Sequence, residues 1–172
     1  IGAFQLKSKK EVAQRRKELV GILKKECPKL SIINGGGTGC LESTGEEDWV
    51  TELAAGSGFY APALFDAYSH FKHQPAAGFA VEVVRKPEKN IYTCLGGGYV
   101  ASGAVGKEKA PAPYLPEGFK LTQNEMAGEV QTPIIYNGNL ELGDPVFFRH
   151  SKAGELCERF KAWKCVKNGT IT

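Results

Sequence analysis

Leu30-Ser31-Ile32-Ile33-Asn34-Gly35-Gly36-Gly37-Thr38-Gly39 is the stretch that decides the architecture. Leu30–Asn34 is a short apolar run, consistent with a buried strand, and a glycine run follows it at once. Upstream, residues 8–26 read as a helix. Val12, Leu19, Ile22 and Leu23 recur at helical spacing, while Arg15, Arg16, Lys24 and Lys25 lie largely off that stripe. Ser8 with Glu11 fits a capping box, in which the hydroxyl serves a free amide and the carboxylate reaches back. Pro28 stops the helix. Downstream, Glu42 to Asp48 form a loop, and Trp49–Ala55 is a second strand-like stretch that ends in Gly56-Ser57-Gly58. A helix followed by two short strands, each ending in glycine, suggests the tail of a β/α repeat. Ala61–Phe71 then reads as a helix, and His73–Pro75 as a boundary.

Beyond that boundary the pattern changes. Ala77–Arg85 and Asn90–Leu95 are β-rich, and Gly96-Gly97-Gly98 interrupts them. Lys107–Gly118 holds three prolines and reads as an irregular loop. Ile134-Ile135-Tyr136 and Leu140 flank Asn137-Gly138, which predicts a hairpin because both turn residues tolerate positive φ. Asp144–His150 is a further strand, and Leu156–Val166 suits either strand or helix. The second half therefore reads as an antiparallel β domain.

Composition narrows the class. The 172 residues are 42% hydrophobic and 24% charged, which is ordinary globular usage and excludes a disordered tail. No run approaches the roughly 20 apolar residues of a membrane span. Lys and Arg number 22 against 19 Asp and Glu, and a net charge of +3 is too mild to argue for nucleic acid. Cys27, Cys40, Cys94, Cys157 and Cys165 are odd in number, widely spaced and free of any C-x-x-C pair. A reducing, cytoplasmic compartment is the simpler expectation. Asn168-Gly169-Thr170 fits a glycosylation sequon, a triplet common by chance. The chain starts at Ile1, with no secretory apolar region, and reads as an excerpt or a cleaved product.

Much of the glycine, 21 residues in all, lies in tight clusters. Consecutive glycines after a strand let several backbone amides point into one concavity, a nest that suits phosphate. Gly35-Gly36-Gly37-Thr38-Gly39 lacks the Gly-Lys-Ser/Thr ending of a nucleotide P-loop and the spacing of a dinucleotide site. Gly56-Ser57-Gly58 could supply further donors. Both runs fit tight turns equally well at this point. Gly96–Gly98 sits inside a strand pattern and reads as a bulge or a close backbone approach, with Tyr99 beside it. His70 and His73 read as solvated. His150 ends an apolar strand next to Arg149 and near Lys152, and its six-residue spacing to Cys157 has no metal geometry behind it.

Four segments, taken in order, carry a resemblance. They are Asn34-Gly35-Gly36-Gly37-Thr38-Gly39, Thr51-Glu52-Leu53-Ala54-Ala55-Gly56-Ser57, Gly128-Glu129-Val130-Gln131-Thr132 and Arg149-His150-Ser151-Lys152-Ala153-Gly154-Glu155. The ordered set resembles the amino acid deaminase/aldolase group of the alanine-racemase-like enzymes that use pyridoxal 5'-phosphate (PLP). That group is similar to D-serine dehydratases and D-threonine aldolases. The resemblance runs from about Leu6 to near the end of the chain.

It implies an α+β fold: the C-terminal end of a β/α (TIM-type) barrel over residues 1–60, a connecting helix and linker over 61–75, and a mainly antiparallel β domain over 76–172. It implies that Gly35, Gly36, Gly37, Thr38 and Gly39 hold the PLP phosphate, with Gly56, Ser57 and Tyr60 beside it. The lysine that anchors PLP belongs to the first barrel strand and has no counterpart here, so the chain alone is expected to be inactive. His150 matches a histidine that binds a divalent metal in relatives. Lys152 stands where the second ligand would be, and a cation there argues against a metal. The implied roles are acid/base chemistry or substrate contact for His150 and a local positive charge for Lys152. The implied substrate is a D-3-hydroxy amino acid such as D-serine or D-threonine. Racemisation and a non-catalytic PLP-binding or dimerisation module stand as alternatives. The missing barrel portion and a second copy in a homodimer are the expected partners, with no nucleic acid and no membrane.

Overall fold

The computed structural model describes residues 2–104 and 106–172, with side chains from residue 7 onward. The chain divides into two units: Ile1–Ala61 with Phe65–Gln74, and Pro62–Leu64 with Pro75–Thr172.

The first unit opens with α1 (Gly2–Glu26). Lys24 and Lys25 occupy its last turn, where cations complement the helix dipole. The helix begins well before Ser8, so Ser8 and Glu11 lie within it and form no N-terminal cap. Its expected apolar stripe is exposed at Val12, Leu19, Ile22 and Leu23, and Val20 is buried instead. Two short strands follow, β1 (Asn34–Gly35) and β2 (Glu52–Leu53), with α2 (Leu41–Gly45) between them. They pair in parallel, Asn34 opposite Glu52 and Gly35 opposite Leu53. The ladder is extended by Ala54 N–H donating to Gly35 O at 3.1 Å and Thr51 N–H to Ile33 O at 3.0 Å. The parallel pair agrees with the tail of a β/α repeat, but the stretch from Glu42 expected as a loop begins within α2, and no closed barrel is present among the described residues. The expected helix over residues 61–71 is instead a single tight turn, Ala63–Ala67. Phe65, Tyr68, His70, Phe71 and His73 cluster around it, ring against ring.

The second unit is built on a six-stranded antiparallel sheet of order β5-β8-β3-β4-β7-β6. The strands are β3 (Phe79–Glu88), β4 (Ile91–Leu95), β5 (Ala112–Leu115), β6 (Lys120–Leu121), β7 (Gln131–Ile135) and β8 (Pro145–Arg149). The long β3 serves two neighbours. Phe79–Glu82 pair with β8, and register shifts after Val83 and Arg85 carry its second half onto β4. Such irregularities bend a strand and raise its twist. The core gathers Phe79, Val83, Tyr92, Cys94, Phe119, Ile134, Leu140, Val146, Phe148 and Leu156. β8 shows the period-two pattern plainly: Val146 and Phe148 are buried, while Pro145 and Phe147 face out.

Two expectations about this unit are corrected. Lys107–Gly118 contains a strand, β5, in spite of its prolines. β5 lies at the sheet edge, where a residue without an N–H is tolerated. Asn137-Gly138 does not close a hairpin, because β7 pairs with β4 and β6, and β8 pairs with β3 and β5. A two-residue hairpin turn with both residues at positive φ falls on Asn168-Gly169, between β9 (Val166–Lys167) and β10 (Thr170–Ile171), and Lys89-Asn90 joins β3 to β4 by another two-residue turn. Leu156–Val166 is mostly irregular after a short turn over Glu155–Glu158.

Gly96-Gly97-Gly98 is the close approach that the sequence suggested. Gly96 and Gly97 have positive φ, and a Cβ on Gly98 would lie 2.4 Å from the Gly128 carbonyl carbon. Cys94 is buried in the same region, and burial pushes its thiol up to about 11, leaving it an inert core residue.

Candidate functional site

The glycine runs of the first unit meet in space. Gly35 ends β1, and Gly36 turns the chain with a φ of +85°, a conformation that side chains other than glycine resist. A one-turn segment, Thr38–Cys40, follows. The amides of Gly37, Thr38 and Gly39 make no hydrogen bond among the described residues, so they are free to serve an anion. Gly56-Ser57-Gly58 begins the turn just beyond β2. Thr38 joins the two runs: its Oγ1 accepts the Gly58 amide at 2.8 Å and lies 3.2 Å from Ser57 Oγ. Tyr60 closes the turn, its amide donating to Ser57 O at 3.1 Å. On the other side of the first run, the Tyr68 ring would meet a Cβ on Gly39 at 3.1 Å. His70 Nε2 lies 3.3 Å from Gly39 O and 2.6 Å from Lys9 Nζ.

The floor beneath the first run is polar and well tied. Thr44, fully buried, packs against Gly35 and Gly36. Glu47, also buried, receives Arg16 Nη1 at 2.6 Å and the Trp49 indole N–H at 2.9 Å. A cleft of about 280 Å³ lies here, lined by Lys9, Val12, Arg16, Cys40, Ser43 and Tyr68 among others. Open amides, the Ser57 hydroxyl and a glycine in the left-handed region fit a phosphate group.

The second unit carries its own pocket, about 220 Å³, around His150. β8 ends at Arg149, and His150 follows it into the interior, 5% exposed. The loop after it is fixed to neighbouring segments of the same unit. His150 O accepts the Ala63 amide at 3.0 Å, Ser151 O accepts the Leu64 amide at 2.9 Å, and the buried Ser151 hydroxyl donates to Ala110 O. Burial holds the His150 imidazole below its ordinary pKa. The Ala77 backbone opposes this, the Arg149 charge adds to it, and the Ala153 backbone opposes it again. A neutral imidazole near pH 7 can accept a proton.

Lys152 lines the same pocket, its Nζ 3.4 Å from Ser102 Oγ. Ser102 in turn donates its amide to both oxygens of Glu155, at 3.2 and 3.1 Å. These Ser102 bonds, side chain first, hold the Glu155 carboxyl below the usual carboxylate range. Tyr99 completes one wall and packs edge-to-face on Phe79 and Phe160. The structure thus brings His150 and Lys152 into one pocket, and the phosphate-type loops into one cradle in the other unit. Ser102, Glu155 and Arg159 also line the His150 pocket and carried no assignment from the sequence. Glu155 stood at the end of a quoted motif, but Ser102 lies in a loop with no pattern to mark it. No group of three or more His, Cys, Asp or Glu suited to a metal ion occurs among the described residues.

No protein-family model matches the chain, and no curated protein matches it by sequence. A solved structure does. The chain shares its fold with part of a D-threonine aldolase. That enzyme, from Filomicrobium marinum, superposes with a TM-score of 0.68 over 83% of this chain, at 14% sequence identity. The match spans 39% of that enzyme's chain. No described helix is long and apolar enough to cross a membrane.

Proposed function

We propose that this chain is the C-terminal portion of a PLP-dependent amino acid lyase, a deaminase or aldolase, acting on D-3-hydroxy amino acids such as D-serine or D-threonine. The observation that carries the reading is the fold shared with D-threonine aldolase. The glycine cradle at the ends of a parallel strand pair supports it from this chain's own residues. On this reading β1 and β2 are strands of a β/α barrel, residues 1–60 are its last units, and residues 76–172 are the β domain. The rest of the barrel and a second copy in a homodimer would be its partners.

The residues of the cradle suit the phosphate of PLP. The amides of Gly37, Thr38 and Gly39 and the hydroxyl of Ser57 would hold it, and Gly36 would let the backbone approach. PLP, when bound, withdraws electrons from the bonds at the substrate's Cα. The chain's own part is the handling of the proton at the substrate's 3-hydroxyl. His150, kept neutral by burial, can take that proton or return it. Lys152, steered by Ser102, would place a positive charge where the hydroxyl oxygen gains electron density. The lysine cation also disfavours a divalent metal beside His150. The anchoring lysine of the cofactor would lie in the first barrel strand, so the 172 residues alone would turn over no substrate.

The test is an assay of the full-length protein with PLP and each isomer of serine and threonine. Pyruvate and ammonia from D-serine, or glycine and acetaldehyde from D-threonine, would support the reading. Loss of that activity in His150→Gln with PLP still bound would place His150 in the chemistry. Turnover of the L-isomers only would overturn the substrate class.

A further inference from the structure

Thr38 is the residue through which the two glycine runs touch. It is 6% exposed, and it begins the turn whose open amides form the cradle. A hydroxyl has one hydrogen and two lone pairs. Here Thr38 Oγ1 accepts the Gly58 amide at 2.8 Å and shares a second hydrogen bond with Ser57 Oγ at 3.2 Å. With Thr38 as the donor to Ser57, its one hydrogen is spent on the second loop and the Ser57 hydrogen is left for the anion. The approach is close enough to favour glycine on the far side. A Cβ on Gly58 would lie 3.1 Å from both Cγ2 and Oγ1 of Thr38. Gly56 has no such neighbour within 4 Å, so the tight contact is confined to Gly58.

We infer that Thr38 is a positioning residue: its hydroxyl straps the Gly56–Gly58 loop to the Gly35–Gly39 loop, making one anion cradle from two separate chain segments. Thr38 offers the anion its amide, and its side chain acts through Ser57 and Gly58. This refines the role the resemblance implies: Thr38 would touch the anion through its amide and not through its hydroxyl. The inference rests on the anion-cradle reading above.

The experiment uses the whole chain and inorganic phosphate as the probe. Two quantities are followed by NMR: the affinity for phosphate and the hydrogen-exchange rate of the Gly58 amide. Thr38→Val keeps the shape and removes the hydroxyl. It is expected to raise Gly58 exchange and weaken phosphate binding by up to roughly tenfold, the scale of one lost hydrogen bond between neutral groups. Thr38→Ser is expected to restore both. Gly58→Ala, which leaves the Thr38 hydroxyl in place but presses on it and on Cγ2, is expected to weaken phosphate in the same direction, and it decides the matter if Thr38→Val does not fold. Weaker binding in Thr38→Val with Gly58 exchange unchanged would make the hydroxyl a direct ligand and overturn the strap. Unchanged binding with faster exchange would overturn the positioning role. Failure of the wild-type chain to bind phosphate would overturn the cradle itself, and unaltered Gly58 exchange in Thr38→Val would then overturn the strap separately.

Discussion

Both carboxylate oxygens of Glu155 receive the amide of Ser102, across 53 residues of chain. The contact fixes a loop without secondary structure onto the turn that follows His150, and Lys152 reaches the same serine. Glu155 is held below the usual carboxylate range by Ser102, first through its hydroxyl and then through its amide. A depressed carboxyl contributes stability above its unfolded pKa and loses it as pH falls through the folded value. A carbon-detected NMR titration should find Glu155 below the ordinary value near 4.3. Ser102→Ala should move it upward. A Glu155 that titrates normally in the wild type would contradict the tether.

His150 gives the opposite ionisation with the same sense of pH dependence. Burial lowers its pKa, while the unfolded chain titrates near about 6.5. Between those two values the unfolded state binds the proton and the folded state does not. Stability therefore rises with pH through that window and is complete above about 6.5. Urea unfolding from pH 5 upward should show this slope (on the order of one proton at most), and His150→Gln should flatten it. An equal slope in both proteins would place the pH dependence elsewhere.

Gly98 of the sheet unit and Gly37 of the cradle should respond differently to a methyl group. A Cβ on Gly98 would strike the backbone of Gly128 at 2.4 Å, and backbone does not give way cheaply. Gly98→Ala should cost roughly 1–3 kcal/mol in denaturant unfolding. Gly37 is extended, with a φ of 179° and nothing within 4 Å of a built Cβ. Gly37→Ala should change stability by no more than about 0.5 kcal/mol. Its effect should fall on phosphate binding, since the added methyl narrows the cradle mouth. Equal stability costs at the two positions would contradict the packing described.

Adjacent phenylalanines test the sheet register. Phe148 is 1% exposed and stacks on Phe79, whereas Phe147 is 41% exposed on the outer face. Phe148→Ala should cost roughly 3–5 kcal/mol. Phe147→Ala should cost about 1 kcal/mol. A reversed order would mean that β8 is shifted by one residue.

Much of this architecture is legible in the sequence because its signals are local. The glycine run after Ile33 announces a turn, and the alternation of Val146 and Phe148 announces a half-buried strand. What stayed hidden depends on partners distant in the chain. Asn137-Gly138 has good hairpin chemistry, yet β7 pairs with β4 and β6, so topology overrides the turn. Asn168-Gly169 has the same chemistry and does turn, because its flanking strands have each other. Residues 112–115 look unsuited to a strand until the edge position excuses Pro113. The apolar stripe of α1 has clear periodicity, but periodicity alone does not bury a face. At the site, His150 and Lys152 stand two residues apart and were legible together. Ser102 reaches Glu155 only through the fold, and no spacing encodes that.

The central claim is that these residues belong to a PLP enzyme. The most direct measurement is the visible absorption spectrum of the full gene product as purified, before and after borohydride, followed by peptide mapping. The account predicts a visible chromophore that borohydride bleaches, with the reduced pyridoxyl group fixed on a lysine outside these 172 residues. A full gene product that takes up no PLP, or a pyridoxyl group fixed on a lysine within these residues, would contradict it.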